Sequence, residues 1–176
     1  MSISLLVSVQ AAIAPLPPEL AAIPEAQWQA WLRCWLAETP PVFALPPAQT
    51  YGLTLRWSND AQIQQFNQQY RQQDRPTDVL AFATLDNAAG MGALASQTLP
   101  EWELGDIIIS LDTARAQAQG HTLRQEVIWL VSHGFLHLLG WDHPDAHDLQ
   151  QMLRQQAHLL TQIQIKPPLW ENCDKL

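Results

Sequence analysis

Residues 132–143 read S-H-G-F-L-H-L-L-G-W-D-H and hold three of the chain's six histidines. His133 and His137 are four apart, so a helix sets them one turn apart on one face. Gly140 tolerates a left-handed backbone, the usual way to end a helix, and His143 follows three residues later. Two imidazoles on a helix, a glycine turn and a third imidazole on the returning chain can converge three nitrogens on one point. Three neutral nitrogen donors with an open fourth position make a catalytic zinc site. Nickel, copper or iron can take the same donors. A lone buried histidine is usually a satisfied core residue. The third histidine, at this offset past a glycine, is what points to a metal, because imidazoles on a buried helix need partners.

The spacing H-x-x-x-H-x-x-G-x-x-H is that of the metzincin metalloproteases, which carry Glu directly after the first His as general base. Here that residue is Gly134, which cannot accept a proton. Peptide hydrolysis by that route is therefore not expected. Asp142, between the turn and His143, either orients an imidazole or caps the turn. His147, four residues beyond His143, is the obvious fourth ligand if the zinc is structural, and otherwise a surface helix residue.

These groups need a helix beneath them. Thr122 to Gln125, T-L-R-Q, fits a capping box that starts the histidine helix. Leu123, Val127, Leu130, Val131 and Leu138 make it apolar on most sides, so it is expected to be buried and central. Pro144 can open a last helix reaching about residue 160. Upstream, the patterns predict a strand at 3–9, a proline turn at 14–18 and a helix at 24–37 with Trp28, Trp31 and Trp35 on its apolar face. A strand follows at 51–57, then a helix from residue 60 to about 72 with Ile63, Phe66 and Tyr70 inward. After a polar loop at 71–78 come strands at 79–84 and 103–110, separated by a mobile surface loop at 86–100. A short helix capped by Asp112 then runs to about 119. This order predicts one α+β domain over residues 1–176: a small mixed sheet covered by helices, with the histidine helix at the centre.

Composition narrows the partners. The net charge of -8 gives no global attraction for nucleic acid, so RNA contact must come from a local basic patch. Seven of the nine cationic residues are arginines, and Arg56, Arg71 and Arg75 fall within twenty residues; arginine suits bidentate phosphate contacts. Cys34 reads as a reduced core residue and Cys173 as a tail residue; their spacing supports neither a disulfide framework nor a zinc knuckle. No run approaches the roughly 18 apolar residues of a membrane span. The N-terminus lacks the basic start of a signal peptide, so a cytoplasmic location is expected.

The motif H-G-F-L-H-L-L-G-W-D-H resembles the YbeY-type endoribonucleases, the bacterial rRNA maturation factors, whose pattern is H-G-x-L-H-L-x-G-x-D-H. Two upstream blocks are similar too: Y-R-Q-Q-D-R-P-T-D-V-L-A-F at 70–82 and L-G-D-I-I-I-S at 104–110. The resemblance runs from about residue 67 to 143. The family usually carries Ser-Phe-Pro after Val-Leu; Ala81-Phe82-Ala83 stand here, a change expected in turn geometry rather than chemistry. The resemblance implies a zincin-like α+β fold, one zinc ion per chain held by His133, His137 and His143, and a functional arginine at Arg71. It also implies cleavage of single-stranded RNA in the maturation of ribosomal RNA ends (the 16S rRNA 3′ end) and in ribosome quality control, with ribosomal subunits or assembly proteins as partners and no membrane. Zinc chemistry would need no protein base, which accounts for Gly134; Arg71 would hold the phosphate. Asp106, in the third block, reads as an edge-strand residue. Two rival readings are a metal-dependent hydrolase of another substrate, such as a peptide or small ester, and a ribosome-assembly binding protein whose zinc is structural.

Overall fold

The computed structural model describes residues 4–42, 45–84 and 98–168. Its elements are β1 (Ser4–Ala11), α1 (Pro18–Ala21), α2 (Glu25–Glu38), β2 (Ala48–Ser58), α3 (Asp60–Arg71), β3 (Val79–Ala83), β4 (Leu99–Ser110), α4 (Leu111–Gln117), α5 (Leu123–Leu138) and α6 (Ala146–Gln162). The four strands form one mixed sheet in the order β1-β2-β4-β3; the first three run parallel and β3 is antiparallel to β4. This is the expected α+β architecture, compatible with a zincin-like fold.

The isoleucine run of β4 shows how the layers form. Successive strand residues face opposite sides of a sheet. Ile107 and Ile109 join the larger core with α2, α5 and α6. Ile108 faces the other way, into a small cluster with Ile63 of α3 and Leu80 of β3. Both faces are covered there, so the strand reads as unbroken hydrophobe rather than alternating residues.

The tryptophan stripe of α2 is core. Trp28 meets Trp31 edge-on at 5.3 Å and Trp57 at 5.4 Å, and Trp35 packs on Phe135 of α5. The Trp35 Nε1–H donates to the carbonyl of Leu159 at 2.8 Å, which ties α6 to α2. The histidine helix is buried along nearly its whole length, and its capping box forms as expected: Thr122 Oγ1 accepts from the Gln125 N–H, and Gln125 Oε1 accepts from the Thr122 N–H.

Several local expectations change. A four-residue helix, α1, follows the proline turn, started by Pro17 and Pro18, which pre-set helical φ. β4 begins at Leu99, four residues earlier than expected, because its N–H reaches Pro47 and residues 99–102 pair with β2; the rest of the expected loop, to residue 97, lies outside the described residues. Asp106 therefore sits on an inner strand, paired with both Thr54 and Phe82, and is not at an edge. Ser110, not Asp112, caps α4; Asp112 instead accepts from the Asp60 N–H. Asp145 caps α6, so Pro144 lies before the helix rather than opening it. Tyr70 is 59% exposed rather than inward, lying against Phe66 and Phe82 at the rim of the small cluster. Cys34 is half-buried and free, on the flank of α2 rather than in the core, and Cys173 lies outside the described residues. Ala83 still pairs with Gly105, so the chain has not yet turned where the family carries proline. Among the described residues no helix is long and apolar enough to cross a membrane.

Candidate metal centre

Helix α5 brings His133 and His137 to one face, as their spacing requires. The helix ends at Leu138 with Leu139 as its C-cap, and Gly140 takes φ 85°, a left-handed turn that a β-carbon would strain. The Trp141 N–H then bonds back to the Leu136 carbonyl at 3.0 Å, and the Trp141 indole N–H donates to Pro40 at 3.3 Å. Asp142 is exposed, and its Oδ1 accepts from the His143 N–H at 2.9 Å. Of the two roles foreseen for it, this contact serves the turn. The result is that His143 swings back over the helix.

The three imidazoles converge. Their rings lie 4.7 Å (His133–His137), 5.3 Å (His133–His143) and 5.3 Å (His137–His143) apart. One nitrogen from each falls within 4.8 Å of the others, and His133 Nε2 and His137 Nε2 are 3.1 Å apart. A tetrahedral zinc with Zn–N bonds of about 2.0–2.1 Å separates its nitrogens by roughly 3.4 Å. The donors are also in the right state. Burial holds His133 below the ordinary 6.5, with its hydrogen bond to the Gln156 oxygen offsetting part of that. Burial, then the charges of His133 and His143, lower His137 to about 4. Both are therefore neutral at pH 7 and can offer lone pairs without first losing a proton. The residues fit a divalent ion such as zinc, though three imidazoles alone do not select the element.

His147 is not part of this group. Its side chain is 76% exposed beside Asp148, and its ring receives the Gln151 amide.

Gly134 has a steric reason as well as a chemical one. A β-carbon there would lie 2.8 Å from Ile107 Cγ2 and 3.3 Å from Cγ1. Helix α5 thus sits so close to β4 that position 134 holds no side chain of any kind without a shift. A glutamate base of the metzincin type would need Ile107 or the helix to move.

The histidines open into a groove of about 840 Å³ that Arg71 and Arg75 also line. Arg71 closes α3, and Gln72 takes a left-handed φ of 58° that sends the chain back. Asn67, buried in α3, pins this loop: its side-chain amide donates to the Arg75 carbonyl at 2.8 Å and its own carbonyl accepts from the Gln73 N–H. At the loop's far end Asp78 Oδ1 accepts from the Val79 N–H, and Oδ2 accepts from the Gln117 side chain. Two exposed arginines of the groove lining are thereby carried on a backbone pinned at both ends of the loop. The third arginine of the expected patch, Arg56, is elsewhere: it lies half-buried over the Phe66 ring at 5.4 Å.

Three buried polar residues were missed from sequence. Asn67 looked like one more polar residue of a Gln-rich helix. Gln156, fully buried, faces His133 from α6; its position three to four residues from Met152, Leu153, Leu159 and Leu160 was the available signal. The buried Glu126, paired with His121, has its carboxyl raised by burial despite that partner.

Known proteins resemble this chain over most of its length. The sequence model of the family described as Endoribonuclease YbeY matches residues 18–164. The Endoribonuclease YbeY of Synechococcus elongatus is 48% identical over 152 residues, covering 84% of each chain. That of Picosynechococcus sp. is 52% identical over 156 residues, covering 85% of this chain and 88% of the relative. That of Synechocystis sp. is 48% identical over 145 residues, covering 81% and 79%.

Proposed function

The chain belongs to the YbeY endoribonuclease family, and from that premise we propose that it is a zinc-dependent, single-strand-specific endoribonuclease. Its substrates on this reading are the immature ends of ribosomal RNA, the 16S 3′ end among them, met in the cytoplasm on ribosomal subunits or with assembly proteins; its activity also serves ribosome quality control. The whole chain acts as one domain. One observation carries the reading: three imidazole nitrogens within 4.8 Å of one another open into a groove that Arg71 and Arg75 also line.

His133, His137 and His143 would hold the ion. When bound, zinc supplies Lewis acidity, polarising a phosphoryl oxygen and easing loss of a proton from water. Arg71 binds the scissile phosphate and stabilises the charge that develops on it, by the paired N–H donors that suit a phosphate. Arg75 tracks a neighbouring phosphate. These are few, local contacts on a chain of net charge -8, so affinity for free RNA is low. That favours a strand delivered by a partner over one captured from solution. Asp142 stiffens the turn that presents His143.

The test is cleavage of labelled single-stranded RNA and of casein, each with and without chelator. RNA cleavage abolished by chelator and restored by zinc supports the reading. Chelator-sensitive casein cleavage without RNA cleavage would instead make the protein a metal-dependent hydrolase of another substrate. Zinc retention with neither activity would leave a binding protein with a structural ion.

A further inference from the structure

Gln156 lies in the middle of α6 with no exposed surface. Its side chain makes three contacts: Oε1 is 3.2 Å from His133 Nδ1, and Nε2 is 3.2 Å from the Trp129 carbonyl and 3.3 Å from Ser132 Oγ. A glutamine amide can be turned either way, so its orientation has to follow from its neighbours. They allow only one. The Trp129 carbonyl is an acceptor, and so the group facing it must donate. Ser132 Oγ spends its own proton on that same carbonyl at 2.7 Å, so it too can only accept from Gln156. The NH2 end is fixed toward α5's backbone, and the carbonyl oxygen toward the imidazole. An acceptor at His133 Nδ1 requires a proton on that nitrogen, and in a neutral ring this leaves Nε2 as the bare lone pair. Nε2 is the atom that faces His137 Nε2 at 3.1 Å.

We infer that Gln156 is a positioning residue: from α6 it fixes the tautomer and the ring angle of His133, so that Nε2 is presented as a ready-made ligand. This rests on the metal reading above and extends it to a residue outside the histidine motif. The physical gain is twofold. A buried imidazole that is free to carry its proton on either nitrogen spends part of its population in the form that cannot ligate. A ring held by a buried amide also loses no rotamer freedom when the ion arrives, and partners of this kind typically contribute 10–100-fold to metal affinity. The arrangement also places the support on a different element from the ligand, since Gln156 is 23 residues from His133. Packing of α6 on α5 is then coupled to the metal site.

The first measurement is nitrogen-15 NMR of the histidine side chains in the metal-free, wild-type protein at pH 7. His133 should show a protonated Nδ1 and a bare Nε2; the opposite tautomer, or an even mixture, would overturn the assignment. This result does not depend on whether zinc binds. The second is zinc affinity by chelator competition in Gln156→Met and Gln156→Glu. Gln156→Met keeps the volume but removes the acceptor, and should lose about 10–100-fold in affinity. Gln156→Glu keeps an oxygen that accepts from Nδ1–H at the same position, and should recover most of the loss. Equal affinity in the wild type and Gln156→Met refutes the proposal, as does a loss that Gln156→Glu does not repair. If the wild type itself takes up no zinc while showing the expected tautomer, the metal reading falls and the fixing of His133 by Gln156 stands.

Discussion

Substituting Gly134 by alanine tests the geometry that holds the histidine helix against the sheet. Two opposing effects set the outcome. Alanine is the better helix former, by about 1 kcal/mol in a helix interior. Its β-carbon, however, would sit 2.8 Å from Ile107 Cγ2, where carbon atoms prefer about 3.5–4.0 Å. Ile107 is fully buried, and Cγ2 is fixed directly to its branched Cβ, so the methyl cannot swing aside as the end of a long chain would. Overpacking of this sort costs about 1–3 kcal/mol. Gly134→Ala should therefore destabilise by about 0–2 kcal/mol despite its helix propensity. Ile107→Ala removes all three carbons that the new methyl would meet, at its own cavity cost of about 2–5 kcal/mol. In that background Gly134→Ala should become stabilising by about 1 kcal/mol. The coupling between the two sites, about 1–3 kcal/mol, is the measurable quantity. Urea unfolding of the four proteins, followed by tryptophan fluorescence, provides it. Zinc affinity should fall in the single variant Gly134→Ala, because the displaced segment carries His133. Zero coupling, with Gly134→Ala as well tolerated beside Ile107 as beside alanine, would refute the close approach as the reason for glycine.

Arg71→Ala should slow RNA cleavage by about 10–1,000-fold, as loss of a donor to a developing oxyanion does, with zinc content and Tm unchanged because the side chain is exposed; a wild-type rate would remove Arg71 from the chemistry. The metal-free protein should lose stability in acid. Unfolded histidine binds a proton near 6.5 and His137 only near 4, so between these values the unfolded chain holds more protons and falling pH favours it. The contribution is complete above about 6.5 and gone by about 4, on the order of 3 kcal/mol; a His137→Gln variant with the same pH slope in urea unfolding would show that His137 is not its source. Thr122→Ala should cost about 1 kcal/mol by removing the cap of α5, and an unchanged Tm would mean that the helix start is held by packing alone.

Much of the site could be read from the chain because its parts are local. The i, i+4 histidines, the glycine turn and the capping box are all set by short-range geometry, and each takes the form its spacing requires. The tryptophan stripe of α2 was legible for the same reason. What was not legible depended on partners distant in sequence. The alternation of Ile107, Ile108 and Ile109 between two cores is hidden in a uniform apolar run until α3 is known to cover the second face. Asp106 could not be assigned to an inner strand without the strand order. Arg56 and Arg71 look equivalent in sequence, yet one covers a phenylalanine ring and the other lines the groove. Asn67 and Gln156 carry no motif at all; their roles exist only once the loop and α6 have folded against them. The boundary missed at α4 reflects competing caps, Ser110 against Asp112, which propensity scarcely separates; α6 starts after Pro144 because Asp145 caps it.

X-ray absorption spectroscopy of the zinc-loaded protein addresses the site most directly. The expected spectrum is that of one zinc per chain with three imidazole nitrogens at about 2.0–2.1 Å and one exchangeable oxygen from solvent. A fourth ligand from the protein, or fewer than three imidazoles on the ion, would contradict an open, three-histidine centre.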